Sequence, residues 1–206
     1  MAKGTRNIAA AAGMAGFLMM AGASEAADHE AVIIVLHVTN RAGITSADLA
    51  EAQAEAGRVF DAIGIRTVWR DAAAESEDRE SSALHLSIAL LSPEMVRRRA
   101  SEGIGDDVLG TASKAAGWAY ILCERITVLA ARTRMDARTL LGRVIAHEIG
   151  HLVLPEVGHG NHGIMAAGID RSPSGTFQLT FTPRESRAIH GMLRSRASRS
   201  EGIADR

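Results

Sequence analysis

The stretch HEIGHLVLPEVGHGNHGIM, residues 147–165, contains four of the eight histidines of the chain and places a glutamate directly after the first of them. On an α-helix, residues four apart lie one turn above each other, so His147 and His151 project from one face and can bind the same ion. Glu148 then lies beside that face, where a carboxylate can reach a metal-bound water without coordinating the metal. The stretch therefore predicts a metal site on a helix, with Glu148 as general base.

A third ligand is needed, because a catalytic zinc site usually has three protein ligands and leaves a fourth position for water. His159 is the favoured candidate: Pro155 ends the helix, and Gly158 permits a tight reversal that returns the chain toward the two helical histidines. His162 and Glu156 are alternatives, since His162 needs a longer return loop and Glu156 follows the proline closely. We expect Zn²⁺ to be bound by the two helical histidines and His159.

The composition limits the partners of the chain. Its 206 residues carry a formal net charge of −1, and the Lys and Arg residues are scattered, so no nucleic-acid-binding surface is predicted. Cys123 is the single cysteine, which excludes an intramolecular disulfide and a cysteine-rich zinc cage. We expect a monomer that acts on a small molecule or a peptide.

The N-terminal residues have the layout of a secretory signal peptide. Lys3 and Arg6 precede an uncharged run over residues 8–24, and small residues are found at Ser24 and Ala26. A retained anchor is the weaker alternative, because the run is rich in Ala and Gly and short for a bilayer span. We expect residues 1–26 to be removed and the mature protein to be secreted or periplasmic, without stable membrane association.

The remaining sequence predicts one α+β domain, residues 27–196, and a disordered tail, residues 197–206. Strands are predicted at residues 31–38, 65–69, 83–91 and 177–181, with a hairpin of 108–112 and 118–122. Helices are predicted at residues 45–63, 95–99, 125–132 and 183–196, and a further helix from the N-cap Asp136 carries the histidines.

The histidine stretch resembles the metzincin clan of zinc metallopeptidases, in which a third histidine precedes a methionine-containing turn below the metal. AHEIGHLVL, the later histidine and GIM are more similar still to a group of exported bacterial proteins with the pattern AHEIGHLLL…HS..GIM. The resemblance implies that His147, His151 and His159 bind zinc, that Glu148 is the base and proton shuttle, and that Met165 supports the site as the Met-turn residue.

The resemblance also extends to VLGTA, WAYILCERI and QLTFTPRESRAI, and as a whole it covers about half of the mature chain. It implies a single metzincin-like domain with a mixed twisted sheet, an active-site helix and a C-terminal helix. VLGTA then corresponds to an edge strand that pairs with the substrate, so Leu109, Gly110 and Thr111 are expected substrate contacts. Main-chain pairing to an open sheet edge is a general way to hold an extended peptide.

Some positions depart from the long metzincin consensus. Leu154 replaces its glycine, and His159 comes two residues later than the consensus histidine. Tyr120, the only tyrosine, lies upstream of Met165, so the sequence identifies no group that stabilises an oxyanion. The other large class of zincins uses a downstream glutamate, but Glu185 is separated from the motif by a predicted loop and strand.

Together these features predict an exported zinc-dependent metalloendopeptidase that hydrolyses peptide bonds through a zinc-activated water, with Glu148 as general base. Two alternatives are a zinc-binding protein without catalytic activity and a zinc amide hydrolase that acts on cell-wall peptides. For the metalloendopeptidase, a peptide or protein substrate is expected.

Overall fold

The apolar run that begins at residue 32 forms an inner strand of a sheet in the computed structural model, which describes residues 32–74, 83–101, 103–154, 159–167 and 179–204. This strand, β1 (Val32–Asn40), buries Ile34, Val35 and Leu36 almost completely. Val and Ile favour extended backbone, because their branched side chains pack well on a pleated surface. The run therefore forms a buried strand with a neighbour on each side.

Four further strands complete the described sheet: β2 (Ile65–Asp71), β3 (Leu84–Leu90), β4 (Gly110–Ser113) and β5 (Trp118–Ile121). Their order is β2-β1-β3-β5-β4. β2 and β3 flank β1 in parallel, β5 is parallel to β3, and β4 is antiparallel to β5. The sheet is therefore mixed, and β4 lies at its edge.

The described helices are α1 (Ser46–Asp61), α2 (Pro93–Ser101), α3 (Cys123–Thr133), α4 (Ala137–Val153) and α5 (Pro183–Ala204). α1 and α4 share one hydrophobic core with the alternate inward-facing residues of the strands. Burial of this apolar surface is the main force that holds α4 against the sheet.

α1 and α4 approach each other closely at Gly142. A Cβ atom at this position would collide with the backbone oxygen of Ala52 and would lie 2.8 Å from the Cβ of Glu55. Beside this contact, the half-buried carboxylate of Glu55 accepts hydrogen bonds from Arg143 at 3.0 Å and from Arg58 at 2.8 Å. The glycine and the ion pairs together fix α4, the helix that carries the histidines.

The predicted fold class is confirmed. The chain is α+β, with a mixed five-stranded sheet, a histidine-bearing helix and a C-terminal helix among its described residues. The predicted hairpin is the antiparallel pair of β4 and β5, in which Gly110 is opposite Ile121.

The strand predicted at residues 177–181 is wrong in its described part, residues 179–181, which are not paired in the sheet. The carbonyl of Thr180 instead accepts a hydrogen bond from the Ile164 amide at 3.0 Å. The segment therefore contacts the turn after the histidine motif. Residues 177 and 178 lie outside the described part.

The last helix is longer than the sequence predicted. α5 continues to Ala204, whereas the sequence analysis ended the helix at Arg196 and expected a disordered tail from Ala197. The end of the helix is therefore corrected from Arg196 to Ala204. Residues 197–204 include Ser, Arg and Glu, and such a composition is also typical of a polar C-terminal tail.

The predicted signal peptide, residues 1–26, lies outside the described residues, so export stays a prediction. The described residues all belong to one unit of the chain, Ala31–Arg206. Within that described part, none of the helices is long and apolar enough to cross a membrane.

Candidate metal centre

The histidine-bearing helix begins where the sequence predicted. The side chain of Asp136 accepts hydrogen bonds from the backbone amides of Arg138 at 3.0 Å and Thr139 at 2.9 Å. These bonds satisfy two amides that have no partner within the helix. α4 then continues without interruption to Val153, so both histidines of the HEIGH motif lie on one helix.

His147, His151 and His159 come together at this helix. Their ring centroids are 4.6 Å apart for the helical pair, and His159 lies 5.3 Å from His147 and 5.2 Å from His151. One nitrogen of each ring lies within 4.8 Å of the other two. His147 is buried, His151 is half-buried and His159 is exposed. Three nitrogens therefore converge at a point that solvent can reach.

A backbone carbonyl fixes the ring orientation of His147. Its Nδ1 lies 2.8 Å from the oxygen of Ile164. A carbonyl oxygen can only accept a hydrogen bond, so Nδ1 carries the proton and donates it. The lone pair of the neutral ring is then on Nε2, the atom that lies 3.0 Å from Nε2 of His151. This arrangement is typical of histidines that bind metal ions.

The carbonyl that orients His147 belongs to a tight turn. The amide of Gly160 donates to Met165 O at 2.8 Å, which closes the turn. Gly163 has φ +76°, and a Cβ atom there would lie 2.6 Å from the oxygen of Thr180. Only glycine fits this position, because both the dihedral angle and the space exclude a side chain. The turn links His159 to the Gly-Ile-Met sequence.

Met165, the predicted Met-turn residue, packs against the histidine-bearing helix. It is 1% exposed. Its Sδ atom packs so closely on Gly150 that a Cβ atom at that glycine would overlap it. Gly150 precedes His151 directly on α4, so the thioether supports the helix at the position of the second histidine. Its role in the site stays a prediction.

Glu148 is buried beside the histidines and faces the edge strand. It is 5% exposed. Burial raises the pKa of its carboxyl group to about 7. A Cβ atom at Gly110 of β4 would lie 2.7 Å from both Cγ and Oε1 of Glu148. The absence of a side chain at Gly110 therefore allows the carboxylate to pack directly against the backbone of the edge strand.

A cleft of about 1160 Å³ contains the site. Its lining includes the three histidines, Glu148, and the residues predicted to contact substrate: Leu109, Gly110 and Thr111. α2 and α3 line the other side of the cleft. The structure thus brings the predicted base, the predicted ligands and the predicted substrate contacts together around one space.

The alternative ligands have different surroundings. His162 is exposed and does not belong to the histidine group. Glu156 lies outside the described residues. Glu185 forms a capping box at the start of α5, where Oε2 accepts from the amide of Thr182 at 2.7 Å. Its Oε1 lies 3.4 Å from the position of a Cβ atom on Gly160, nearer to the histidines than the sequence indicated.

Lys114 is a cleft residue that the sequence analysis missed. It lies in the turn between β4 and β5 and donates a hydrogen bond to the carbonyl of Leu154, directly after α4. Burial is the main cause that lowers the pKa of His151 to about 4, and the charges of His147, His159 and Lys114 contribute. Sequence patterns contain no signal for this proximity, because it depends on how the hairpin packs on α4.

Tyr120 does not line the cleft. Its ring stacks on Trp118 at a centroid distance of 6.0 Å and lies below the guanidinium of Arg99 at 4.7 Å. The only tyrosine of the chain is therefore engaged elsewhere.

The histidine group fits zinc. Ligand nitrogens at about 2.0–2.1 Å from a tetrahedral zinc ion are roughly 3.3 Å apart. The two Nε2 atoms of the helical pair, 3.0 Å apart, are close to this spacing. Burial lowers the pKa of His147 and of His151, so both rings are neutral near pH 7, which is the form that coordinates metal. Imidazole is a preferred zinc ligand, so this donor set fits Zn²⁺.

No protein-family model matches the chain, and no curated protein matches it. Among solved structures, the chain is similar to a zinc-dependent peptidase from Methanocorpusculum labreanum (strain Z), with 15% sequence identity and a TM-score of 0.41. The similarity covers 79% of this chain and 99% of that chain. The functional conclusion therefore depends on the geometry of the site.

Proposed function

We propose that the protein is an exported zinc-dependent metallopeptidase that hydrolyses peptide bonds, with Glu148 as general base. One observation carries this proposal: three imidazole nitrogens converge within 4.8 Å of one another in a cleft that also contains a buried, unligated glutamate. A purely structural zinc site usually closes with four protein ligands. Three ligands beside an open cleft leave the fourth position on the zinc ion free for a water molecule or the substrate.

Each residue has a defined task in this proposal. When bound, zinc would polarise the scissile carbonyl and acidify the attacking water. Glu148 takes a proton from that water and passes it to the leaving amine. Glu148 is not a member of the three-histidine group, so its carboxylate is available to hold and release that proton.

The edge strand β4 orients the substrate. It pairs with β5 on one side, and no described strand lies on its other side. An extended peptide can pair with that free side through main-chain hydrogen bonds. Gly110 packs on Glu148, so a peptide bound there would lie next to the base. Leu109, Gly110 and Thr111 are therefore the proposed substrate contacts.

Replacement of Glu148 by Gln tests the proposal. The amide keeps the shape of the side chain but cannot accept the proton, so peptide cleavage should fall by at least about 100-fold while the zinc content stays unchanged. Glu94→Gln is the control, because Glu94 lies on the surface of α2 and pairs only with Arg98 among the described residues. Cleavage is measured with a peptide library, and zinc by elemental analysis.

These assays, together with degradation of purified peptidoglycan, distinguish the alternatives. Cleavage by Glu148→Gln at the wild-type rate would show that Glu148 is not the base. Bound zinc without zinc-dependent cleavage in a broad screen would favour a non-catalytic zinc-binding protein. Degradation of purified peptidoglycan without cleavage of ordinary peptides would favour an amide hydrolase of cell-wall peptides.

A further inference from the structure

Arg125, in the first turns of α3, extends its side chain to the loop that precedes the edge strand. Its Nη1 donates a hydrogen bond to the carbonyl of Val108 at 2.9 Å and a second to the carbonyl of Gly105. Its Nη2 lies 3.8 Å from the carboxylate of Asp106. The side chain is 13% exposed. Three successive parts of one loop are thus held by one guanidinium group.

The loop leads directly into β4. The carbonyl of Leu109, the residue after Val108, accepts from the amide of Leu122 at 2.9 Å. The next residue, Gly110, packs against Glu148. A continuous series of contacts therefore connects Arg125 to the base through the backbone of the edge strand.

An edge strand needs such support. β4 has only four residues and pairs with one described neighbour, so the sheet alone holds its position less firmly than that of an inner strand. Hydrogen bonds from a charged donor are stronger than those between neutral groups. The planar guanidinium group also presents Nη2 to Asp106 while Nη1 donates to both carbonyls, an arrangement that the single nitrogen of a lysine cannot reproduce.

We propose that Arg125 is a positioning residue that holds the loop of residues 105–109, and with it β4, in the place where a peptide substrate pairs beside Glu148. The inference rests on the proposed peptidase function. Arg125 acts through the strand, and its effect is on the binding of an extended substrate.

The test compares Arg125→Met and Arg125→Lys with the wild-type protein. Methionine keeps most of the aliphatic stem and removes every donor, whereas lysine keeps one charged donor group. Arg98→Met is the control, since the side chain of Arg98 is 72% exposed and pairs with Glu94 on its own helix. Amide hydrogen exchange, zinc content, KM and kcat are measured for each protein.

In Arg125→Met we expect amide exchange over residues 105–113 to accelerate by about tenfold, as loss of charge-assisted hydrogen bonds would produce. Exchange in α4 and the zinc content should not change. KM for an extended peptide should rise several-fold while kcat changes less. Arg125→Lys should recover part of both effects, and Arg98→Met should resemble the wild type.

Unchanged exchange over residues 105–113 in Arg125→Met would overturn the proposal. Accelerated exchange with an unchanged KM would also overturn it, because the strand would then not depend on Arg125 for substrate binding. If Arg125→Met does not fold, Arg125→Lys supplies the same comparison. If the wild-type protein cleaves no peptide, the proposed function fails, and the exchange data still show whether Arg125 holds the strand.

Discussion

The orientation of a single ring, that of His147, connects the sequence motif to the chemistry of the site. The carbonyl of Ile164 holds the proton on Nδ1 and leaves Nε2 for the metal. Ile164 belongs to the Gly-Ile-Met sequence that the resemblance identified, so that sequence contacts the site through a backbone carbonyl. The structure thereby gives a physical reason for the position of this turn after the third histidine.

The sequence predicted the three converging histidines, but it did not predict the surroundings of all polar residues. His159 lies within 5.3 Å of the other two rings, whereas His162 is exposed and outside the group. The spacing of a helix makes the first two histidines predictable. The proximity of Glu185 was not predictable, because it depends on the packing of α5 against the turn.

Gly110→Ala tests the contact between the edge strand and the base. The added methyl group would lie 2.7 Å from Cγ and Oε1 of Glu148, so the carboxylate must move. We expect kcat for peptide cleavage to fall by at least about tenfold, since a shift of about 1 Å at a reacting group can cost more than that. The zinc content and the urea midpoint of unfolding should change little. A kcat equal to that of the wild-type protein would contradict the claim that the packing of Gly110 on Glu148 positions the carboxylate for catalysis.

A second residue-scale prediction concerns His37, which lies outside the metal site. Its Nε2 is 3.0 Å from Nδ1 of His85, and burial, His85 and Arg70 lower its pKa. Since the pKa in the folded state lies below the ordinary value of about 6.5, protonation favours the unfolded chain. The folded protein should therefore lose stability as the pH falls below about 6.5.

Urea unfolding at pH 7.5 and pH 5.5, with a chelator to remove the effect of metal, measures this loss. His37→Asn should show a smaller decrease in midpoint between the two pH values than the wild-type protein. Equal decreases would mean that the pair of His37 and His85 does not contribute to the pH dependence.

Among the elements, the helices and the five sheet strands could be predicted from the sequence, because their residues show a periodicity or a capping residue. Asp136 is an example, since its side chain accepts from two amides at the start of α4. The prediction of a strand at residues 177–181 was wrong in its described part, because an alternation of apolar residues does not show whether the backbone hydrogen bonds go to a sheet strand or to a turn. There, Thr180 pairs with the turn at Ile164.

The close approach of α1 and α4 gives an element-scale prediction. Gly142→Ala would place a methyl group against the oxygen of Ala52 and the side chain of Glu55, so it should lower the free energy of unfolding by about 1–3 kcal/mol. Gly191→Ala, in α5, is the matched control, because no atom lies within 4 Å of its added Cβ. That variant should gain up to about 1 kcal/mol from helix propensity. A stabilising effect at both positions would show that the helices do not require the glycine.

For the whole molecule, zinc should link folding to metal binding. The ligands come from α4 and from the turn after it, and an ion that binds only the folded chain stabilises it by mass action. At a free zinc concentration about 100 times Kd, the gain is about 2.7 kcal/mol. A chelator should therefore lower the thermal midpoint of the wild-type protein. The same chelator should have almost no effect on His159→Ala, and an equal shift in both proteins would contradict the link.

The central claim is that His147, His151 and His159 together bind one zinc ion. Its most direct test is the zinc content of purified wild-type protein beside His159→Ala and His162→Ala. We predict about one zinc per chain in the wild type and in His162→Ala, and a large loss of zinc in His159→Ala. Full zinc content in His159→Ala, or loss of zinc in His162→Ala instead, would contradict the account.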